Sequence, residues 1–240
     1  MSVNNSFFVL CFFFSSTHLS YGHHLAKSYN PHSIRPIDRA YILYAIKVWR
    51  DIPLNNRQNS SCFMTGKEIS KVLVEGVKAD VLIPYQDDTL TAVMDKKQFL
   101  KNLQIEPGNS ASQNTPNEFY PSEMALLRLV EHILFDKVTA RQVYDIESIQ
   151  LIVPGKNHPP TYLDHTIATF KYKDVVAYFN TLPFESVCWY NRSNAAENLN
   201  WIDAFTLRLF DSTILKVDDS DNLLDSEDKY VDLEELLSEY

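Results

Sequence analysis

Apolar residues crowd the stretch from Pro121 to Gly155, and their spacing predicts the central elements of the fold. Pro121 and Ser122 suit a helix start, since Pro loses nothing in the first turn and Ser can cap a free N–H. Glu123 then sits at the positive end of the helix dipole. Met124, Leu127, Val130 and Leu134 follow at three- or four-residue steps, widened by Leu126, Leu129 and Ile133, with Arg128, Glu131 and His132 opposite. This pattern predicts a central helix. Thr139 and Gln142 have capping-box spacing, which predicts a second short helix carrying Val143, Tyr144 and Ile146. Ile149 to Val153, closed by Pro154-Gly155, reads as a buried strand.

The same reasoning covers the rest of the chain. Pro36 to Arg50 reads as a helix with Ile37, Tyr41, Tyr44, Ala45 and Val48 on one line. Thr65 to Val77 reads as a helix because Thr65 and Glu68 form a capping box ahead of Ile69, Val72, Leu73 and Val77. Asp80 to Tyr85 is predicted as a strand pairing with Thr89 to Met94, and Asp95 to Leu103 as a helix. Residues 106–117, rich in Pro, Gly, Ser and Asn, read as a linker. Beyond it, Thr166 to Tyr172 and Phe184 to Tyr190 read as strands and Asp174 to Leu182 and Ala195 to Phe210 as helices, with Ile214 to Val217 closing the fold. The expected class is α+β: helices and short strands in one or two small subdomains, 34–105 and 118–217. A leader (1–33) precedes them, and an acidic tail (218–240), disordered or ordered by a partner, follows.

Charge sharpens this division. The sequence has net charge −9, and Asp218 to Tyr240 holds ten acidic residues against one Lys, which leaves the body balanced. A neutral body lacks the phosphate-neutralising surface on which nucleic-acid affinity rests. Only five glycines are present, and no G-x-G-x-x-G or P-loop pattern occurs, so nucleotide hydrolysis is not expected.

Phe7 to Phe14 is an apolar run too short to span a bilayer, which takes about 20 residues. It reads as the core of a signal peptide ending near residue 22, as an unstructured or mis-annotated leader, or as a buried strand; MSVNNS lacks the basic residues of a signal. Cleavage would place Cys62 and Cys188, one possible disulfide, and the sequons at Asn59 and Asn191 in a secreted chain.

Candidate chemistry is sparse. His23-His24 are adjacent but have no Cys or carboxylate cluster for a tetrahedral site, so no metal or other cofactor is expected. Glu131-His132 and Asp164-His165, the latter after His158, place acid beside imidazole, and His165 or Cys188 is the candidate for a hydrolase. Met64 to Leu73 (MTGKEISKVL) resembles the second helix of winged-helix domains, which implies an interaction or DNA-binding module with Lys67, Lys71 and Lys78 as its basic face. No recognition helix or wing follows.

In the tail, Leu223, Leu224, Tyr230, Leu233, Leu236 and Leu237 interrupt the charge at near-helical steps, a pattern that orders on a partner groove. Ser226 among acids is a candidate phosphorylation site. The leading expectation is a non-enzymatic interaction subunit or adaptor of an intracellular assembly, nuclear or cytoplasmic, with protein partners and no membrane span or small-molecule ligand. The alternatives are a secreted or lumenal protein, possibly that hydrolase, and the winged-helix module.

Overall fold

The computed structural model describes residues 29–105, 118–157, 163–191, 194 and 197–218. The leader to residue 28, the linker at 106–117 and the tail from 219, with all its candidate contacts and Ser226, lie outside the described residues. The expected α+β class holds. In chain order the elements are β1 (Ile42–Pro53), β2 (Phe63–Met64), β3 (Lys67–Glu68), α1 (Ile69–Lys78), α2 (Lys96–Asn102), β4 (Leu126–Asp136) and β5 (Arg141–Val153). They continue with β6 (His165–Lys171), α3 (Tyr172–Phe179), β7 (Cys188–Trp189), β8 (Leu199–Asn200), α4 (Trp201–Thr206) and β9 (Thr213–Asp218). Five strands form one antiparallel sheet in the order β6-β5-β4-β1-β9, while β2-β3 and β7-β8 are two-stranded. β1, which precedes residues 106–117, is bonded between β4 and β9, which follow them, so both stretches share one sheet.

Three predicted helices are strands. Leu126–Asp136, Arg141–Val153 and Ile42–Pro53 replace the helices expected from Pro121, Thr139 and Pro36. The physical reason is that β4 is central and covered on both faces, so its apolar residues run almost without a break and satisfy a 3.6-residue period as readily as a 2-residue one. A period of two is nonetheless present. Lys47, Trp49 and Asp51 alternate with Ile46, Val48, Arg50 and Ile52 along β1. Ile149 to Val153 is strand as expected and is wholly buried.

The helices cover one face of the sheet. Ile52, Leu127, Leu129, Ile149 and Leu151 from the strands join Ile69 and Leu73 of α1, Phe99 of α2, Val175 and Phe179 of α3, and Trp201 and Phe205 of α4 in the main core. Trp201 is fully buried, its ring set edge-on to Phe179 at 5.2 Å, and its indole N–H donates to the Cys188 carbonyl at 3.0 Å.

Local chemistry sets the helix ends. α2 begins where predicted, with the Asp95 carboxylate accepting from the Gln98 N–H at 2.6 Å. α1 starts four residues later than the capping box implied. The Glu68 carboxylate accepts from the Gly66 N–H at 2.9 Å, closing the β2-β3 turn, where Gly66 takes a φ of +82° that a side chain would strain. α4 is shorter than predicted because β8 pairs with β7 up to Asn200, whose side chain then caps the Ile202 N–H at 2.9 Å. β7 is likewise only two residues, and Phe184–Ser186 ahead of it is a 3-10 turn. Residues 80–94 form no strand pair. Tyr85 bridges to Val93 and exchanges both backbone bonds with Thr169, capping the outer edge of β6. β6, α3 and β9 lie close to their expected positions.

Gly76 of α1 packs closely against α3. A Cβ there would lie 2.7 Å from Tyr178 Cε1 and 3.2 Å from Leu82 Cβ. Gly76→Ala should therefore destabilise the protein by roughly 1–3 kcal/mol despite alanine's better helix propensity. In chemical denaturation, Tyr178→Ala should make the added methyl far less costly, so the two substitutions are non-additive.

Candidate interaction face

The sheet carries ionised groups on both faces. On the helix-covered face, Glu131 of β4 is completely buried between two arginines. Arg50 Nε of β1 donates to Oε1 at 2.5 Å, and Arg208 donates through Nη1 to Oε2 at 2.8 Å and Nη2 to Oε1 at 3.1 Å. Burial alone would raise the Glu131 pKa, but the two guanidiniums outweigh it and hold the group ionised, below its ordinary value.

Arg208 reaches this position through an unusual helix end. Leu209 N–H donates to the Ala204 carbonyl and Arg208 N–H to the Phe205 carbonyl, a Schellman closure in which Arg208 stands where glycine is usual, with a φ of 55°. Its guanidinium also lies over the Tyr144 ring at 4.0 Å.

The opposite face is polar. Glu147 of β5 meets Lys47 Nζ at 2.7 Å and His132 Nε2 at 3.3 Å. Burial pushes Glu147 up, yet the bonds from His132 and Lys47 prevail and bring its pKa down to about 2. Arg128 holds Asp51 with two bonds, 2.6 and 2.9 Å, and lies 3.6 Å from Asp164. Trp49 is half-buried, its indole N–H donating to Asp88 at 2.6 Å, with Lys47 and Lys216 ammoniums over its ring. Lys47, Trp49 and Asp51 at every second residue of β1, with Arg128 and His132 on the same face of β4, were the legible sign of this face.

Beside β5 lies a cleft of about 400 Å³. Ile34 and Arg35 line one side, and Tyr172, Val176, Ile202 and Phe205 the other. Asp145 faces it beside the polar side chains of Asn30 and Ser33, with one carboxylate oxygen, Oδ2, buried and without a hydrogen-bond partner among the described residues. Burial lifts the Asp145 pKa to about 6, against the lowering effect of the neighbouring Ser33 and Asn30 side chains.

The residues singled out for catalysis do not assemble. His165 is exposed, its Nε2 2.8 Å from the Asn102 carbonyl and its ring tilted against Phe119. Asp164 turns elsewhere, accepting from the Gly155 N–H at 3.0 Å. Glu131 and His132 point to opposite faces because they are neighbours on a strand. Cys188 and Cys62 are both buried free thiols, with burial raising the first and pushing the second up to about 12. Asn59 is buried, donating to the Pro53 and Asp211 carbonyls, so its sequon is sealed inside the fold. His23, His24 and His158 lie outside the described residues. Among the described residues no group of three or more His, Cys, Asp or Glu is placed to hold a metal ion. Lys67, Lys71 and Lys78 do not form a free basic face. Lys67 meets Tyr190, Lys71 lies near Glu75, and Lys78 pairs with Glu118.

Residues 37–239 match the family described as gliding motility associated protein GldN. The chain belongs to the GldN family. No curated protein matches it. Family membership corrects two expectations. A GldN protein is a component of the gliding motility and secretion apparatus of the cell envelope, so the nuclear or cytoplasmic location and the intracellular adaptor are wrong. Missing catalytic motifs and a neutral body bear on chemistry and say nothing of compartment. The secreted or lumenal alternative agrees better with the GldN family. The GldN family belongs to a multiprotein gliding and secretion apparatus, with which the expectation of protein partners agrees. Among the described residues no helix is long and apolar enough to cross a membrane.

Two outcomes test the electrostatics. Glu131→Ala leaves two arginines facing each other in the core and should cost roughly 3–5 kcal/mol in urea denaturation, whereas replacing Arg50, Glu131 and Arg208 together by apolar residues of similar volume should cost far less. Asp145 has a folded pKa above its unfolded value, so its contribution is stabilising when protonated and is lost as pH rises through about 6. Melting temperature should therefore show a fall between about pH 4 and pH 6 that Asp145→Asn removes.

Proposed function

We propose that this chain is a structural subunit of the envelope apparatus, holding protein partners on a rigid antiparallel sheet and using its acidic C-terminal segment as one contact. The observation that carries this reading is the extent of the family match, which runs to residue 239 and so takes in the acidic segment with the body. Leu223, Leu224, Tyr230, Leu233, Leu236 and Leu237 are its contact residues, spaced to lay one apolar face into a partner groove while the intervening acids stay solvated. The clamped ions of the sheet support a scaffold role, because buried charges with fixed partners resist rearrangement.

Removal of residues 219–240 should leave the melting temperature of the body within a few degrees and reduce co-purification with other envelope components by about tenfold or more, as a loss of about 1.4 kcal/mol implies. The same result is expected from Leu233, Leu236 and Leu237 changed together to Ser. Undiminished co-purification of the shortened chain would remove the segment from the mechanism.

A further inference from the structure

The cleft beside β5 has the build of a strand receptor. β6 pairs with β5 only from Ser148 to Val153, so among the described residues no strand lies beside the outer edge of β5 from Arg141 onward. The register irregularity at Val130/Glu131 fixes which groups face outward. Phe170 and Ala168 turn toward β5 because Thr169 bonds Tyr85 on the other side, and they pair with Ile149 and Leu151. Stepping back across the extra residue at Glu147, the outward positions become Ile146, Tyr144 and Gln142. Asn30 confirms the direction, since its Nδ2 donates to the Ile146 carbonyl at 3.3 Å and so occupies the first outward acceptor in place of a strand.

The space beside Gln142 and Tyr144 is walled on both sides. Ile34 and Arg35 stand on the polar-face side, and Val176, Ile202 and Phe205 of α3 and α4 on the other. Among the described residues two buried polar atoms of this cleft have no hydrogen-bond partner, Asp145 Oδ2 and the Tyr172 hydroxyl, and Tyr172 is only 5% exposed. Unpartnered buried groups are costly and mark places where something else completes them. Two other charges border the cleft. Arg208 is committed to Glu131, and Arg35 is exposed, with its charge solvated. The buried carboxylate oxygen is the group that lacks a counterpart, and a cationic N–H donor is the strongest match for it.

We propose that this cleft receives an extended segment of a protein partner, which adds a strand along Gln142–Tyr144, sets an apolar side chain against Val176, Ile202 and Phe205, and brings a lysine or arginine to Asp145. The Tyr172 hydroxyl donates to the incoming segment. This rests on the chain being a subunit of an assembly and is independent of the acidic C-terminal segment.

The test is an NMR titration of the full chain with blocked heptapeptides that alternate valine and threonine and carry a central lysine or glutamate. The lysine peptide should shift the amides of residues 142–146 and bind about tenfold more tightly than the glutamate peptide. N-methylation of alternate peptide nitrogens should abolish binding, because it removes the bonds to the open edge. Asp145→Asn should erase the lysine preference. Tyr172→Phe should weaken binding without lowering the melting temperature, since its hydroxyl has no partner among the described residues to lose. A chain lacking residues 219–240 should bind the lysine peptide as the full chain does, which separates this site from the C-terminal contact. Equal affinity for the two peptides, or no shifts at residues 142–146 with either, would overturn the proposal.

Discussion

A carboxylate at the centre of a hydrophobic sheet constrains everything around it. Glu131 lies in the middle strand, without contact with water, and must stay charged or be removed. Arg50 comes from the next strand and Arg208 from the turn after α4, so the pair of cations ties together elements far apart in sequence. Because isolated buried charge is so unfavourable, the three groups tolerate little displacement, and the register of β1 against β4 is fixed along with them. The left-handed backbone at Arg208, roughly 1 kcal/mol or more above the ordinary conformation, is held by the same contacts.

From this centre the two faces of the sheet diverge in character. The side under the helices is apolar apart from the clamp, and aromatic rings from α3 and α4 fill it. The other side alternates cations, carboxylates and a half-buried tryptophan, each held by named partners. The charges of this face are spent on one another.

Much of the periphery was legible from the sequence and the centre was not. α2 and β6 follow from local signals, an Asp95 cap and the alternation of Ile167, Thr169 and Lys171. β4 and β5 were misread because burial on both faces blurs the two periods, β1 because Tyr41, Tyr44, Ala45 and Val48 also fall at helical steps, and Arg50 and Glu131 look like surface residues until each is seen to face the other. The polar face could have been found from Lys47, Trp49 and Asp51 in step with Arg128 and His132. The cleft could not. It depends on where β6 stops and on a residue insertion at Glu147 that no local pattern announces. For the cell-envelope setting the sequence offered only the signal-peptide reading of Phe7 to Phe14 and the secreted alternative built on it, and kinship decided.

The last strand has a mechanical meaning. β9 runs antiparallel along β1, from Thr213 beside Asp51 to Asp218 beside Lys47, and the acidic segment continues from its end. Its ladder bonds lie across the strand axis, so a pull along that axis loads them together in shear, instead of opening them one by one as a zipper. At the other end of β9, Asn59 anchors Asp211 by two bonds, from Nδ2 to the carbonyl and from the Asp211 N–H to Oδ1. A pull on Asp218 along that axis would thus be shared across the β9–β1 ladder before any single bond must yield.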